Sequence, residues 1–290
     1  MSIRAAIALV VACGCGMLCA ARAGTAGLVH EKSIYTDGAR KALESPEGVG
    51  CAEDGRLVVA DTAHGRLLLF TWNDGRLEGG SEIKLPEVPR PTMIQLDPAG
   101  NMLVLDRKTA RIAVLDARGA FVRFLEIPGV TPKAFKLVAG KLYVLDAKRV
   151  LVLDSARRIG REVALPSEGE FMDVAAAPGG AVYVIDSVSG TLWAAEDGAD
   201  SFRKLTPGPA RQMSFPTYVA IDETGRFFVV DRNAQAIVLL DKDGGLLTRA
   251  LRYGRADGLL NYPGQLCLTH RYAFVADRNN NRVQIFSILR

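Results

Sequence analysis

One pattern of apolar and polar positions recurs along this chain. The stretch 273–286 reads AFVADRNNNRVQIF: an apolar run ending in Asp277, a polar turn rich in Asn and Arg, then a second apolar run. Two apolar runs around such a turn predict two antiparallel strands. The pattern returns at 57–70 (LVVADTAHGRLLLF), 102–115, 142–153, 182–195 and 227–240. Its aspartates are Asp61, Asp106, Asp146, Asp186, Asp231 and Asp277, spaced 40 to 46 residues apart. A period of that length holding several strands predicts a repeat array.

Each period has room for four strands, a to d. In the first, strand a is expected over 49–53, b over 57–61, c over 67–72 and d over 79–85. Asn73-Asp74-Gly75 is a hairpin turn between c and d, because Asn and Gly tolerate positive φ. Proline-containing links lead to each next strand a, where a residue without an N–H suits a segment outside the ladder. Strand c is expected to open six residues after the aspartate in five repeats and four after it in the third, at Val150. The last repeat reaches Arg290 after three strands, and Leu28–Tyr35 can supply the fourth. That pairing closes a ring and removes exposed sheet edges. The expected fold is all-β: a six-bladed β-propeller with four antiparallel strands per blade, spanning residues 24–290.

Composition agrees with a globular chain: 290 residues, 49% hydrophobic and 23% charged. Residues 1–23 read as a signal peptide, with Arg4 ahead of an apolar core and Ala21-Arg22-Ala23 as the cleavage signal. The core is too short for a transmembrane span. A weaker lipobox-like pattern ends at Cys13, and cleavage there would leave a lipid anchor. The expected location is the periplasm or the exterior, after cleavage near Ala23. The mature chain then carries 34 basic and 32 acidic residues, too even a balance to imply a polyanion partner by net charge.

The pattern x-V-x-D-x-x-N-x-R-V-x-x-F ending at Phe286 resembles the NHL repeat family. Tyr253-Gly254-Arg255, Gly258 and Tyr262-Pro263 resemble that family's glycine-rich repeat opening. The resemblance covers Ser45–Arg290. It is strong in the fifth and sixth repeats and degenerate in the third and fourth, which lack the Asn and Arg. It implies a propeller and, more loosely, a binding role, since the molecules bound by such propellers vary widely.

Six aspartates invite a metal reading, but each ends a strand b and can accept N–H groups of the following turn. Their expected role is capping, with Arg66, Arg111 and Arg282 pairing with them or packing on the turns. A catalytic metal would instead sit on the axis, as in gluconolactonase-like and paraoxonase-like propellers. The side chains available there are Glu47, Thr92, Met172 with Asp173, Thr217 with Tyr218, and Gly264 with Gln265. Glu47 and Asp173 would be the metal ligands in this alternative, a metal-dependent lactonase, esterase or lyase. They are a thin set for Ca²⁺, which takes six to eight oxygens. His30 falls on the presumed closing strand, His64 in a b–c turn and His270 in an a–b turn; those two turns lie on opposite faces, which does not suit a three-histidine zinc site. No cofactor motif is present. Cys51 and Cys267 hold equivalent positions in the first and last repeats. Equivalent side chains point the same way round a ring, so two buried free thiols are expected over a disulfide.

Positive charge gathers on one face, where b–c turns and d–a links meet. The turns carry Arg107, Lys108, Lys148, Arg232 and Arg278, and the links carry Arg90, Lys133, Arg211, Arg252 and Arg255. Acids there are fewer, chiefly Glu87, Glu168, Glu170 and Asp257. A solvated loop face is the plain reading; a docking surface steered by its field is the sharper one. The expected function is therefore an exported binding scaffold for an acidic protein, peptide or glycan. Arg107, Arg211, Arg232, Arg255 and Arg278 would read charge, with Tyr253 and Tyr262 as anchors. Nucleic acid is not expected, because export separates the chain from RNA and few aromatics interleave with the basic residues.

Overall fold

A computed structural model describes residues 27–205 and 213–289. It is a six-bladed β-propeller, each blade a four-stranded antiparallel sheet, with no α-helix among the described residues. No helix there is long and apolar enough to cross a membrane. Signal-peptide cleavage near Ala23, the lipobox at Cys13 and the anion-reading role of Arg211 fall outside the described residues.

Blade 1 comprises Gly48–Cys51, Arg56–Asp61, Arg66–Asn73 and Arg76–Lys84. Its c–d hairpin turns through Asp74 and Gly75, both at positive φ, as the Asn-Asp-Gly signal requires. Blade 6 takes Pro263–Leu268, Tyr272–Asp277 and Arg282–Leu289 from the end of the chain and Gly27–Ile34 from its start. Gly27 pairs with Leu289 and Ile34 with Val283, so the ring closes as its repeats predict.

Strand b is apolar at successive positions because both of its faces are covered. In blade 1, Leu57 and Val59 pack with Phe274, Val283 and Ile285 of blade 6. Val58 and Ala60 turn the other way, onto Ile94, Met102 and Val104 of blade 2. Burying each such aliphatic side chain contributes about 1.5–3 kcal/mol. Blade-to-blade packing therefore holds the ring more than any single sheet does.

The aspartates at the ends of strands b act as the predicted caps, and they reach further. Asp106 Oδ1 accepts N–H groups from Lys108 in its turn and from Arg90 in the preceding d–a link, at 3.2 and 2.9 Å. Asp61, Asp186, Asp231 and Asp277 likewise bind the links at Glu44, Glu170, Phe215 and Asn261. These bonds fasten b–c turns and d–a links into one face. Arg66 and Arg282 pair with their aspartates at 2.8 and 2.7 Å. Arg111 departs from the expectation: it pairs with Glu126 and lies over the Phe124 ring. Four residues after the aspartate the chain takes positive φ at Gly65, Ala110, Gly190, Gln235 and Asn281, which explains the recurring Gly and Asn.

The cysteines correct the free-thiol expectation. Cys51 and Cys267 form a disulfide, with Cα atoms 5.9 Å apart. They stand at equal distances from their aspartates but not in equal register. Cys51 pairs with Leu57, four residues before Asp61, whereas Cys267 pairs with Phe274, three before Asp277. The shorter a–b turn of blade 6 shifts its inner strand by one residue, and a one-residue shift turns a side chain to the opposite face. Leu268, paired with Ala273, is the true counterpart of Cys51. Cys267 is thereby turned toward blade 1.

Candidate functional site

The innermost strands surround a channel along the ring axis. Their first residues rim its mouth on the face built from b–c turns and d–a links. Arg107, Arg232 and Arg278 share one repeat position, the residue after the aspartate, in blades 2, 5 and 6. In blades 1 and 4 that position is Thr62 or Ser187, whose hydroxyl donates to the Pro91 or Pro216 carbonyl. The three arginines are thus delivered to the mouth by the repeat itself, a signal visible once the repeats are aligned.

Glu47 lies among them with its side chain 4% exposed. Arg107 Nη1 is 2.8 Å from Glu47 Oε2, while Arg90 Nη2 and Arg278 Nε lie 3.6 and 3.5 Å from Oε1. Gly264 permits this approach, since a Cβ there would meet the Glu47 carbonyl at 2.6 Å. Tyr262 is flanked by Arg232 and Arg278, whose guanidinium carbons lie 5.0 and 5.3 Å from the ring centre. Arg232 has no carboxylate partner among the described residues. The structure therefore brings together Arg107, Arg232, Tyr262 and Arg278. Tyr253 is 62% exposed and Arg255 is exposed on the same link, outside this cluster.

Deeper in the channel, Asp173 is fully buried. Its Oδ2 accepts the Val219 N–H at 2.9 Å and lies 3.8 Å from Lys136 Nζ. Burial pushes the Asp173 carboxyl above its usual range, against the pull of Lys136. Gln265 reaches from blade 6 to the inner strands of blades 1 and 2. Its Oε1 accepts the N–H groups of Val49 and Ile94, and its Nε2 donates to the Ile94 carbonyl, each at 3.0 Å. Sequence reasoning offered Gln265 as a metal-facing amide; here it satisfies inward backbone groups of blades 1 and 2. Beyond it, a cavity of about 240 Å³ opens toward the opposite face, lined in part by Lys136 and the disulfide.

The residues fit a metal ion poorly. Glu47 is surrounded by three guanidinium groups and Asp173 faces an ammonium, so both candidate ligands already have cationic neighbours. Among the described residues, no three His, Cys, Asp or Glu side chains gather as a cage. His64 contacts Asp61 and Glu44, His30 contacts Ser33 on the closing strand, and His270 contacts Glu223 and Glu53.

On the mouth side a cavity of about 380 Å³ lies beside the arginines. Met93, Leu105, Pro132, Met172 and Tyr218 give it apolar walls; Thr217, Arg107 and Arg232 give it polar ones. Burial raises the Tyr218 phenol above its usual range, so it stays neutral at physiological pH. Chemically, this mouth is equipped to hold an anion against an apolar wall.

The chain matches no protein-family model and no curated protein. Its fold is similar to that of several solved structures. Virginiamycin B lyase from Staphylococcus aureus aligns with a TM-score of 0.64 at 12% identity, over 88% of this chain and 98% of that one. An auxiliary nutrient binding protein from Bacteroides thetaiotaomicron aligns with a TM-score of 0.65 at 13% identity, over 92% and 76%. A gluconolactonase from Xanthomonas campestris aligns with a TM-score of 0.61 at 15% identity, over 90% and 97%. These likenesses show one thing, the architecture: the chain is a six-bladed β-propeller.

Proposed function

We propose that this chain is an exported, NHL-type propeller that acts as a binding scaffold for an acidic protein, peptide or glycan. The partner docks on the mouth where b–c turns and d–a links meet. One observation carries the reading: Arg232, at the repeat position it shares with Arg107 and Arg278, lies over Tyr262 without a carboxylate partner among the described residues. Glu47 offsets part of the positive field, and the surplus faces outward. Arg beside an aromatic ring is a combination enriched in interfaces. Binding by the structurally similar nutrient binding protein accords with this at the level of fold. The lyase and gluconolactonase neighbours keep an enzyme in view, but the axial carboxylates here already have cationic neighbours.

The test is affinity capture from the native envelope fraction with the wild type and with Arg232→Gln side by side. The same partner should be held by the wild type, released by raised salt and lost from the variant. Equal capture by both proteins would overturn the proposal.

A further inference from the structure

The anion-binding face contains a more specific feature. Thr217 is 2% exposed, and its hydroxyl hydrogen-bonds nothing among the described residues. Arg232 Nε is buried and likewise has no hydrogen-bond partner. Both residues line the cavity of about 380 Å³ at the mouth. Buried polar groups are ordinarily paired, and leaving one unpaired opposes folding. Two donors left open in the wall of one cavity mark a place where an acceptor is expected. Arg107 adds positive charge to the same wall, with Nη1 directed to Glu47 and its other N–H groups remaining. Met93, Met172 and Leu105 present apolar surface across the cavity. Its volume falls within the range of small-molecule sites, which starts near 300 Å³.

We infer that this cavity binds an organic acid: its carboxylate accepts hydrogen bonds from Thr217 and Arg232, and its apolar body packs on Met93 and Met172. The inference rests on the reading of this face as anion-binding, and it adds a small, amphipathic ligand. Inorganic anions lack the body that the methionines would cover. Uncharged amphiphiles lack the charge that the arginines would meet.

The test titrates the purified protein, labelled at methionine methyl groups, with octanoate, acetate and octanamide while methyl NMR spectra are recorded. Octanoate should shift the Met93 and Met172 signals saturably and leave Met102, buried between blades 1 and 2, unmoved. Acetate and octanamide should each bind at least about tenfold more weakly, the scale of one charged hydrogen bond or a few buried methylenes. Thr217→Val should keep the melting temperature at or above that of the wild type, since it removes an unpaired hydroxyl, yet weaken octanoate by about tenfold. Arg232→Gln should do the same to affinity. Unmoved Met93 and Met172 signals, octanamide binding as well as octanoate, or an unchanged affinity in Thr217→Val would each overturn the inference. If octanoate fails while partner capture still depends on Arg232, the cavity proposal falls and the docking face stands; if both fail, both fall.

Discussion

Arg232 lies 5.0 Å from the centre of the Tyr262 ring, and the same ring is covered by Arg278 at 5.3 Å. The two arginines look equivalent in sequence and differ in role. Arg278 also faces the buried carboxylate of Glu47, whereas Arg232 has no carboxylate. Arg232→Gln should therefore change stability by no more than about 0.5 kcal/mol while weakening an acidic partner and flattening the salt dependence of its binding. Thermal unfolding and binding at two ionic strengths check this. A large fall in melting temperature would make Arg232 structural.

Glu47 is the counter-charge of the mouth. Glu47→Gln should leave Arg90, Arg107 and Arg278 to repel one another and lower stability by about 1–3 kcal/mol, since a buried carboxylate is lost from a charged cluster. The same change should tighten the binding of anions at the mouth. Denaturant unfolding with and without sulfate reads both effects: added sulfate should stabilise the variant more than the wild type.

The buried amide of Gln265 makes a separate prediction. Gln265 is fully buried and satisfies three backbone groups of blades 1 and 2. Gln265→Leu keeps the volume but strands those groups, each costing about 1–3 kcal/mol when unpaired and buried. A loss of about 3 kcal/mol or more is expected in chemical unfolding, far above what a surface substitution produces.

Much of this was legible in the chain. The aspartate period exposed the blades, and the missing fourth strand at one end matched the spare strand at the other. The basic face was legible because turn and link residues follow the repeat. The mouth was only half legible. Arg107, Arg232 and Arg278 could be picked by position, but Tyr253 and Arg255, chosen from the same glycine-rich link as Tyr262, stay outside the cluster. The Cys51–Cys267 bond was hidden for a physical reason: counting from the aspartate makes the two cysteines equivalent, and only strand pairing reveals the one-residue shift. Thr217 was legible as a residue near the axis, but not as an open donor, because an unpartnered hydroxyl is a property of surroundings rather than of sequence.

The disulfide between blades 1 and 6 joins cysteines 216 residues apart in sequence. Replacing Cys51 and Cys267 together by alanine should lower stability by about 2–5 kcal/mol, the upper end reflecting the long loop. Comparison of the oxidised protein, the reduced protein and the double variant by thermal unfolding checks it. The reduced protein and the variant should melt alike.

The closing strand of blade 6 should also respond to acid. Asp257 accepts hydrogen bonds from the Ser33 and Tyr35 hydroxyls, which, aided by Arg282, hold its carboxyl below its ordinary value. A lowered carboxylate contributes stability above its unfolded-state value, near 4, and that contribution disappears as pH falls through the folded-state value beneath it. Asp257→Asn should therefore destabilise the protein at neutral pH and show a shallower decline in melting temperature below about pH 4. Parallel acid limbs for variant and wild type would remove Asp257 from this role.

The pairing of Gly27 with Leu289 sets an order of events in time. The first five blades are each built from neighbouring segments and can assemble locally as the chain emerges. The sixth cannot, because its outer strand is made first and its other three last. Contacts so far apart in sequence are slow to form, so closure is the late step of folding. Until it occurs, Arg282–Leu289 and Gly27–Ile34 each present an unpaired edge, and the chain is most open to proteases and to misassembly with other copies. The Cys51–Cys267 disulfide then joins blades 1 and 6, whose meeting completes the ring, and so acts as a latch on a door that closes once.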